Sequence, residues 1–228
     1  MIRPATRPAR TRRSPVAALT LLFLMGVGAS PLSHATDYLV EIVLFETRDA
    51  GSPGERELWF PKVTSAIGLA SEEAAAAGFR IVETETGLDE QAAAIAASGR
   101  YRLLRHFAWR QPGLDASEAR AIRVNVGRTL EMYLPEDISP YDRFIPASAA
   151  PRPDRTRAVR SSTVSGTLKV RLGRFLHLES QLVFTDEESG ASYRLWESRK
   201  MRSTELHYVD NPRFGLLARI LPIEEGES

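Results

Sequence analysis

The sequence contains no cysteine and only four histidines. The absence of cysteine excludes disulfide bridges, thiolate zinc sites, a cysteine nucleophile and a lipid-modified N-terminal cysteine. The histidines show no HExxH or similar metal-ligand spacing. The sequence also has no G-x-S-x-G or S-x-x-K motif and no glycine-rich phosphate loop. We therefore expect a protein that is not an enzyme and that needs no metal or cofactor.

The N-terminus lacks a hydrophobic run long enough to cross a bilayer. Its apolar stretch, residues 16–28, has thirteen residues, whereas a membrane-spanning helix needs about 20. Five arginines precede this stretch, and Ser33 and Ala35 follow it as small residues at the −3 and −1 positions of a cleavage site. This arrangement is typical of a secretory signal peptide. We expect residues 1–35 to be removed by cleavage near Ala35, leaving no stable membrane span.

The chain also lacks a strong charge of either sign. Its 30 basic and 29 acidic residues give a net charge of +1. Because five arginines and no acidic residue precede Ala35, the processed chain carries 25 basic and 29 acidic residues, a net charge of −4. A bulk-charge footprint for nucleic acid is therefore excluded.

Apolar and β-branched residues predict strands over most of the remaining chain. Residues 38–46 are almost continuously apolar, which is typical of a central strand. Further strands are predicted at about 79–83, 100–110, 121–126, 192–201 and 214–221, with a turn at 210–212. In the strand at 100–110, alternation predicts one shared face for Tyr101, Leu103, Phe107 and Trp109.

Two short helices are predicted between the first strands. The first begins after Ser71 as N-cap and ends before Gly78. The second runs from about Glu90 to Ser98, with Asp89 as its N-cap. The fold class that follows is α+β, a mainly antiparallel sheet with both helices on one face.

The composition changes between residues 135 and 161, where proline, arginine, serine and alanine predominate. Such a segment cannot form a packed core of its own, so a long, flexible Pro/Arg-rich insert is predicted there. The expected organisation is a signal peptide (1–35), an N-terminal α/β portion (36–134), the insert (135–161) and C-terminal antiparallel strands (162–228). Residues 36–228 are expected to form one domain.

The apolar positions from Leu168 to Phe184 keep even parity across Gly173 and Arg174. A two-residue hairpin at these positions would place apolar residues opposite polar ones. A three-residue loop over 172–174, which pairs Val170 with Leu176, keeps one face apolar. A single long strand does so too, and both alternatives stay open.

Two segments combine cations with aromatic side chains, a mixture suited to a glycan that bears acidic peptides. Sugar rings stack on aromatic faces, and arginine pairs bidentately with carboxylates. The candidate binding residues are Arg105, Trp109, Arg110, Arg199, Arg202, His207 and Tyr208. The alternatives are a core position for Trp109 and an exposed strand face for residues 199–202. His106 and His177 are expected to be structural.

Three blocks of the sequence resemble the CsiV-type peptidoglycan-binding proteins of Gram-negative periplasms. The blocks are YLVEIVLF (38–45), GRYRLLRHFAWRQP (99–112) and residues 166–222, which contain GTLKVRLGRFLHLE and RKMRSTELHYVDNPRFGLLARILP. Asn211 stands where the family pattern usually has histidine.

The resemblance implies a non-catalytic periplasmic protein that binds peptidoglycan. It further implies support for wall synthesis and cell shape, through an outer-membrane lipoprotein activator and its class A penicillin-binding protein. The alternative from the residues is an envelope protein-protein adaptor without glycan binding. Such an adaptor would dock through a C-terminal edge strand or the arginine-rich insert.

Overall fold

Antiparallel strands account for most of the computed structural model, which describes residues 36–48, 57–58, 65–83, 87–135, 145–146 and 156–223. These residues belong to one compact unit, Ala35–Ser228. The strands are β1 (Asp37–Thr47), β2 (Glu57–Leu58), β3 (Arg80–Val82), β4 (Tyr101–Pro112), β5 (Ala121–Pro135), β6 (Ile145–Pro146), β7 (Thr156–Leu172), β8 (Leu176–Thr185), β9 (Ser192–Met201), β10 (His207–Asn211) and β11 (Phe214–Ile223). The helices are α1 (Glu72–Ala76) and α2 (Asp89–Ala97). The prediction of a mainly antiparallel sheet is confirmed, but the fold is more β than α+β because both helices are short.

The strands form two main sheets and one small ribbon. The five-stranded sheet has the order β10-β11-β1-β4-β3, the four-stranded sheet has the order β5-β7-β8-β9, and β2 pairs with β6. As predicted, β1 is central, since β4 and β11 pair with its two edges. The last strand, β11, lies between β10 and β1, so the sheet edges that the C-terminal portion offers to the adaptor alternative are β9 and β10.

The two main sheets share one apolar core. The inner face of the five-stranded sheet contributes residues such as Ile42, Trp109 and Leu216, and that of the four-stranded sheet contributes residues such as Leu168 and Leu178. All five side chains are fully buried. Because successive residues of a strand point to opposite faces, the residues between these core positions point away from the core.

The sequence predicted that both helices lie on one face of the sheet, but the structure places them on different faces. Ala74 of α1 joins the core between the sheets, whereas Ala92 of α2 packs with Val43 in a separate cluster on the outer face of the five-stranded sheet. Ser71 caps α1 as predicted, accepting a hydrogen bond from the backbone N–H of Ala74 at 3.1 Å. The N-cap of α2 is Leu88, one residue before the predicted Asp89.

A β-bulge in β4 overturns the predicted shared face of that strand. The register with β1 shifts at Leu104, so that Leu44 lies opposite Arg105 and Phe45 opposite Leu103. Leu103 consequently packs in the cluster beneath α2, whereas Phe107 packs against the core between the sheets. One extra residue in a strand reverses the facing of every side chain beyond it.

Of the two alternatives left open between β7 and β8, the structure has the hairpin with a three-residue loop, but at a different position. Its loop is residues 173–175, and Val170 pairs with Leu178 rather than with Leu176. The partner of Val170 differs from the predicted one by two residues, so apolar residues still lie opposite apolar residues on one face. Gly166 of β7 has a φ of +144°, and a Cβ there would lie 2.0 Å from the carbonyl oxygen of Gln181. Only glycine therefore allows β8 to pass this closely.

Part of the predicted insert is strand. The strand β5 extends to Pro135, and β7 starts at Thr156, which pairs with Pro135. Residues 156–161 therefore belong to β7, because backbone ladder hydrogen bonds do not require apolar side chains. The rest of the predicted insert lies outside the described residues, apart from β6.

A buried carboxylate attaches α2 to the five-stranded sheet. Glu41 of β1 is fully buried. Its carboxylate accepts a 2.6 Å hydrogen bond from the backbone N–H of Leu88 and lies 3.0 Å from Nε2 of His106 and 3.1 Å from an Nη of Arg219. Gly87 leaves room for this arrangement, since a Cβ there would lie 1.4 Å from Arg219 Nη2. His106 is thus a structural histidine, as expected from the sequence.

Replacing Glu41 with alanine is expected to lower the free energy of unfolding by about 3 kcal/mol. The substitution leaves the Arg219 guanidinium and the N–H of Leu88 without the carboxylate that compensates for their burial. Urea unfolding followed by circular dichroism measures the change.

The matched control is Glu131→Ala. Glu131 also pairs with an arginine, Arg160 at 3.4 Å, but both side chains are more than half exposed. Its loss is expected to change stability by less than about 1 kcal/mol. Equal effects of the two substitutions would contradict the assignment of Glu41 as an anchoring group.

Candidate functional site

The candidate residues of β4 do not form one surface. Trp109 is fully buried, and its indole N–H donates a 2.9 Å hydrogen bond to Oε1 of Gln111. It is therefore a core residue and cannot serve as a ligand platform. Arg105 and Arg110 are exposed, and Arg110 lies opposite Arg80 of the edge strand β3.

Of the later candidates, Arg199, Arg202 and His207 make local contacts. Arg199 pairs with Glu197 at 2.9 Å, and Arg202 pairs with Glu205 at 3.4 Å. The backbone N–H of Arg202 donates to Nε2 of His207 at 3.3 Å. The contacts of Arg202 belong to the loop between β9 and β10, whereas the Arg199 pair lies within β9.

Tyr208 lies on the outer face of the five-stranded sheet and is 47% exposed. Its ring stacks on Phe45 with centroids 6.0 Å apart, and its hydroxyl donates to Asp210 at 3.0 Å. Partial burial and the Asp210 carboxylate raise the pKa of Tyr208 to about 12. The phenol therefore stays protonated. Thus Tyr208 belongs to the five-stranded sheet and Arg199 to the four-stranded sheet.

The outer side of the four-stranded sheet brings together a different set of residues, which we call the β7–β9 face. Core residues such as Leu178 and Leu195 alternate with these outward positions along the strands. The face consists of Lys169, Arg171, His177, Glu179, Gln181, Arg194, Trp196, Ser198 and Lys200. Its four cations outnumber its single carboxylate, although residues 36–228 as a whole carry 25 basic and 29 acidic residues.

Glu179 lies between two of these cations. Its carboxylate is 2.7 Å from Nζ of Lys169 and 2.6 Å from Nε of Arg171. Burial by itself would raise the pKa of Glu179, but the hydrogen bonds and charges of the two cations hold it below its ordinary value. The carboxylate is thus ionised at neutral pH and orients both cations at the surface.

Two exposed aromatic rings lie on the same side of the sheet. Trp196 is 42% exposed, and the guanidinium carbon of Arg194 lies 5.3 Å from its ring centroid. Phe175, in the loop between β7 and β8, is 40% exposed, and Nζ of Lys200 lies 3.2 Å from its ring centroid. Each ring is thus paired with a cation on the β7–β9 face.

A polar depression of about 320 Å³ adjoins this face. Thr167, Lys169, Glu179 and Gln181 line its floor on β7 and β8, and Arg120 lies on its wall. Gln181 is also the cross-strand partner of Trp196. The face therefore combines an aromatic surface, cations, and hydroxyl, amide and carboxylate groups within a few residues.

Sequence reasoning missed this face, although a signal for it was present. Trp196 alternates with Leu195, so strand parity places Trp196 with Arg194 and Lys200 and opposite to the core. Phe175 carries no such signal, because its position depends on the hairpin loop.

Within the described ranges, no group of three or more His, Asp or Glu side chains could hold a metal ion. In that same part of the chain, no helix is long and apolar enough to cross a membrane.

Replacing Lys169 with alanine is expected to raise the pKa of Glu179, because a hydrogen bond and a nearby positive charge are lost. Carbon-detected NMR of the Glu179 carboxyl, titrated in both proteins, measures this shift. Because the folded pKa is depressed, the interaction stabilises the fold above the unfolded pKa of about 4.3 and is lost as the pH falls through the folded value. The variant should therefore lose less stability on acidification.

The control for this titration is Arg202→Ala, since Arg202 pairs with Glu205 rather than with Glu179. An unchanged Glu179 midpoint in the Lys169 variant would show that the ion pair does not hold in solution.

A scan against protein-family models matches residues 61–223 to CsiV, described as a peptidoglycan-binding protein. Comparisons with curated proteins and with solved structures gave no match. The family match includes β3 to β11, and hence the whole β7–β9 face. Since it covers well over half of the 228 residues, the chain belongs to the CsiV family of peptidoglycan-binding proteins.

Proposed function

We propose that this protein is a non-catalytic peptidoglycan-binding protein of the periplasm that holds its ligand on the β7–β9 face. Membership of the CsiV family supports the ligand class. The observation that carries the position of the site is the combination of exposed Trp196 with cations and a polar depression on one sheet surface.

The chemistry of peptidoglycan matches these groups. Its sugar rings have apolar faces that stack on indole, and its peptides carry carboxylates that pair with ammonium and guanidinium groups. Trp196 supplies the stacking surface, while Lys169, Arg171 and Lys200 supply positive charge on the same face. Hydroxyl and acetamido groups of a sugar find donors and acceptors in Thr167 and the other polar side chains of the depression.

A binding role without catalysis fits the surroundings of the carboxylates. Glu179 is engaged by two cations. The adjacent pair Glu187 and Glu188 lies in the turn between β8 and β9, where Glu187 accepts a 2.9 Å hydrogen bond from Thr163. Incubating purified sacculi with the protein should therefore release no soluble muropeptides, as measured by chromatography. New muropeptides would overturn the non-catalytic assignment.

The predicted signal peptide at residues 1–35 supports export to the periplasm, where the ligand lies. We further propose that the bound protein supports wall synthesis and cell shape through an outer-membrane lipoprotein activator and its class A penicillin-binding protein. The family resemblance of residues 99–112 and 166–222 supports this role.

Replacing Trp196 with alanine is expected to weaken binding to sacculi about tenfold. Loss of one stacked ring corresponds to about 1.4 kcal/mol, which is a factor of ten in the dissociation constant. Co-sedimentation of the processed protein with purified sacculi, over a range of protein concentrations at moderate salt, measures the change.

The matched control is Tyr208→Ala, which removes a similarly exposed aromatic ring from the other sheet. Unchanged binding of this variant is expected. An equal loss in both variants, or a loss only in the Tyr208 variant, would move the site away from the β7–β9 face. Wild-type protein that stays in the supernatant would refute peptidoglycan binding and leave the adaptor alternative.

A further inference from the structure

One strand, β9, contributes to both aromatic–cation pairs of the β7–β9 face: Trp196 and Arg194 form one pair, and Lys200 forms the other with Phe175 of the β7–β8 loop. Trp196 and Lys200 are both outward residues of β9, and Nζ of Lys200 lies on one face of the Phe175 ring, 3.2 Å from its centroid. Between them, Ser198 is exposed and carries only a small side chain. The face therefore has two raised aromatic groups separated by a low polar stretch.

The separation of the two groups is longer than one sugar ring. Trp196 and Lys200 are four residues apart, which corresponds to about 13 Å at the rise of an antiparallel strand. A single pyranose ring cannot stack on both aromatic side chains at once. A linear chain of sugars offers an apolar ring face at regular intervals, whereas a short peptide with small side chains has none.

The depression lies to one side of this line rather than on it. Its lining residues on β7 and β8 lie beside β9, the strand that carries Trp196. A chain that runs along β9 would pass beside this depression, which is open to a substituent on that side of the chain. Lys169 and Arg120 would meet an acidic substituent there.

We propose that the β7–β9 face binds the glycan strand lengthwise along β9, with Trp196 and Phe175 stacking on different sugars of one chain. This inference rests on the proposed function and specifies the part of the polymer that is recognised. The ligand is the sugar chain itself, and affinity depends on its length. The stem peptide contributes contacts through the depression but does not determine binding.

Glycan strands freed of stem peptides by an amidase, then separated by length, test this inference on the processed wild-type protein. Microscale thermophoresis of labelled protein should give a dissociation constant at least tenfold lower for strands of several disaccharides than for one disaccharide. Phe175→Ala and Trp196→Ala should each abolish most of this dependence on length. Tyr133→Ala, which removes a 59% exposed ring from β5, should leave it unchanged.

The outcomes separate this inference from the proposed function. Equal affinity for one disaccharide and for long strands would overturn the lengthwise arrangement. Binding to intact sacculi without binding to peptide-free strands would also overturn it, and would assign recognition to the stem peptide while the proposed function stands. Absence of binding to either ligand would refute both. Thermal unfolding of each variant shows that it is folded, and a variant that does not fold is replaced by Phe175→Leu or Trp196→Leu, which keep an apolar side chain without an aromatic ring.

Discussion

Burial of one face of each main sheet against the other is the constraint on which the rest of the structure depends. Residues such as Ile42, Leu168 and Leu178 lose all contact with solvent in this core. Because a strand alternates its side chains, fixing the inner positions also fixes the outer ones. The cations and the indole of the β7–β9 face reach solvent because Leu195 and the other core residues of the same strands point inward. The chemistry of this exposed face is thus a consequence of the hydrophobic pattern.

The parts of the fold that follow from local pattern could be predicted from the sequence. The central position of β1, the N-cap Ser71 and the three-residue loop between β7 and β8 each depend on residues that are close in the chain. The bulge at Leu104 could not be predicted, because it depends on the register with a strand more than fifty residues earlier. This bulge alone places the side chains of Leu103 and Phe107 on opposite faces of the sheet.

The predicted site residues show the same limit. Trp109 and Tyr208 were selected as aromatic residues next to cations, yet one is core and the other belongs to the other sheet. Composition identifies the kinds of side chain that a glycan site needs but not which of them meet. The depression lined by Gln181 requires the pairing of three strands, β5, β7 and β8, and no single segment of sequence contains it.

The position of β11 between β10 and β1 has a consequence for the order in which the fold can form. Arg219 of β11 reaches Glu41 of β1 across 178 residues of sequence, and the two strands pair along their whole length. Because the chain is synthesised from its N-terminus, the edge of β1 that pairs with β11 stays unpaired until nearly all of the protein has been made. Closing so long a loop is slow, and an open apolar edge is prone to aggregation. A chaperone that shields the nascent strand would then act on β1, and a chain that stops before residue 214 would keep that edge open.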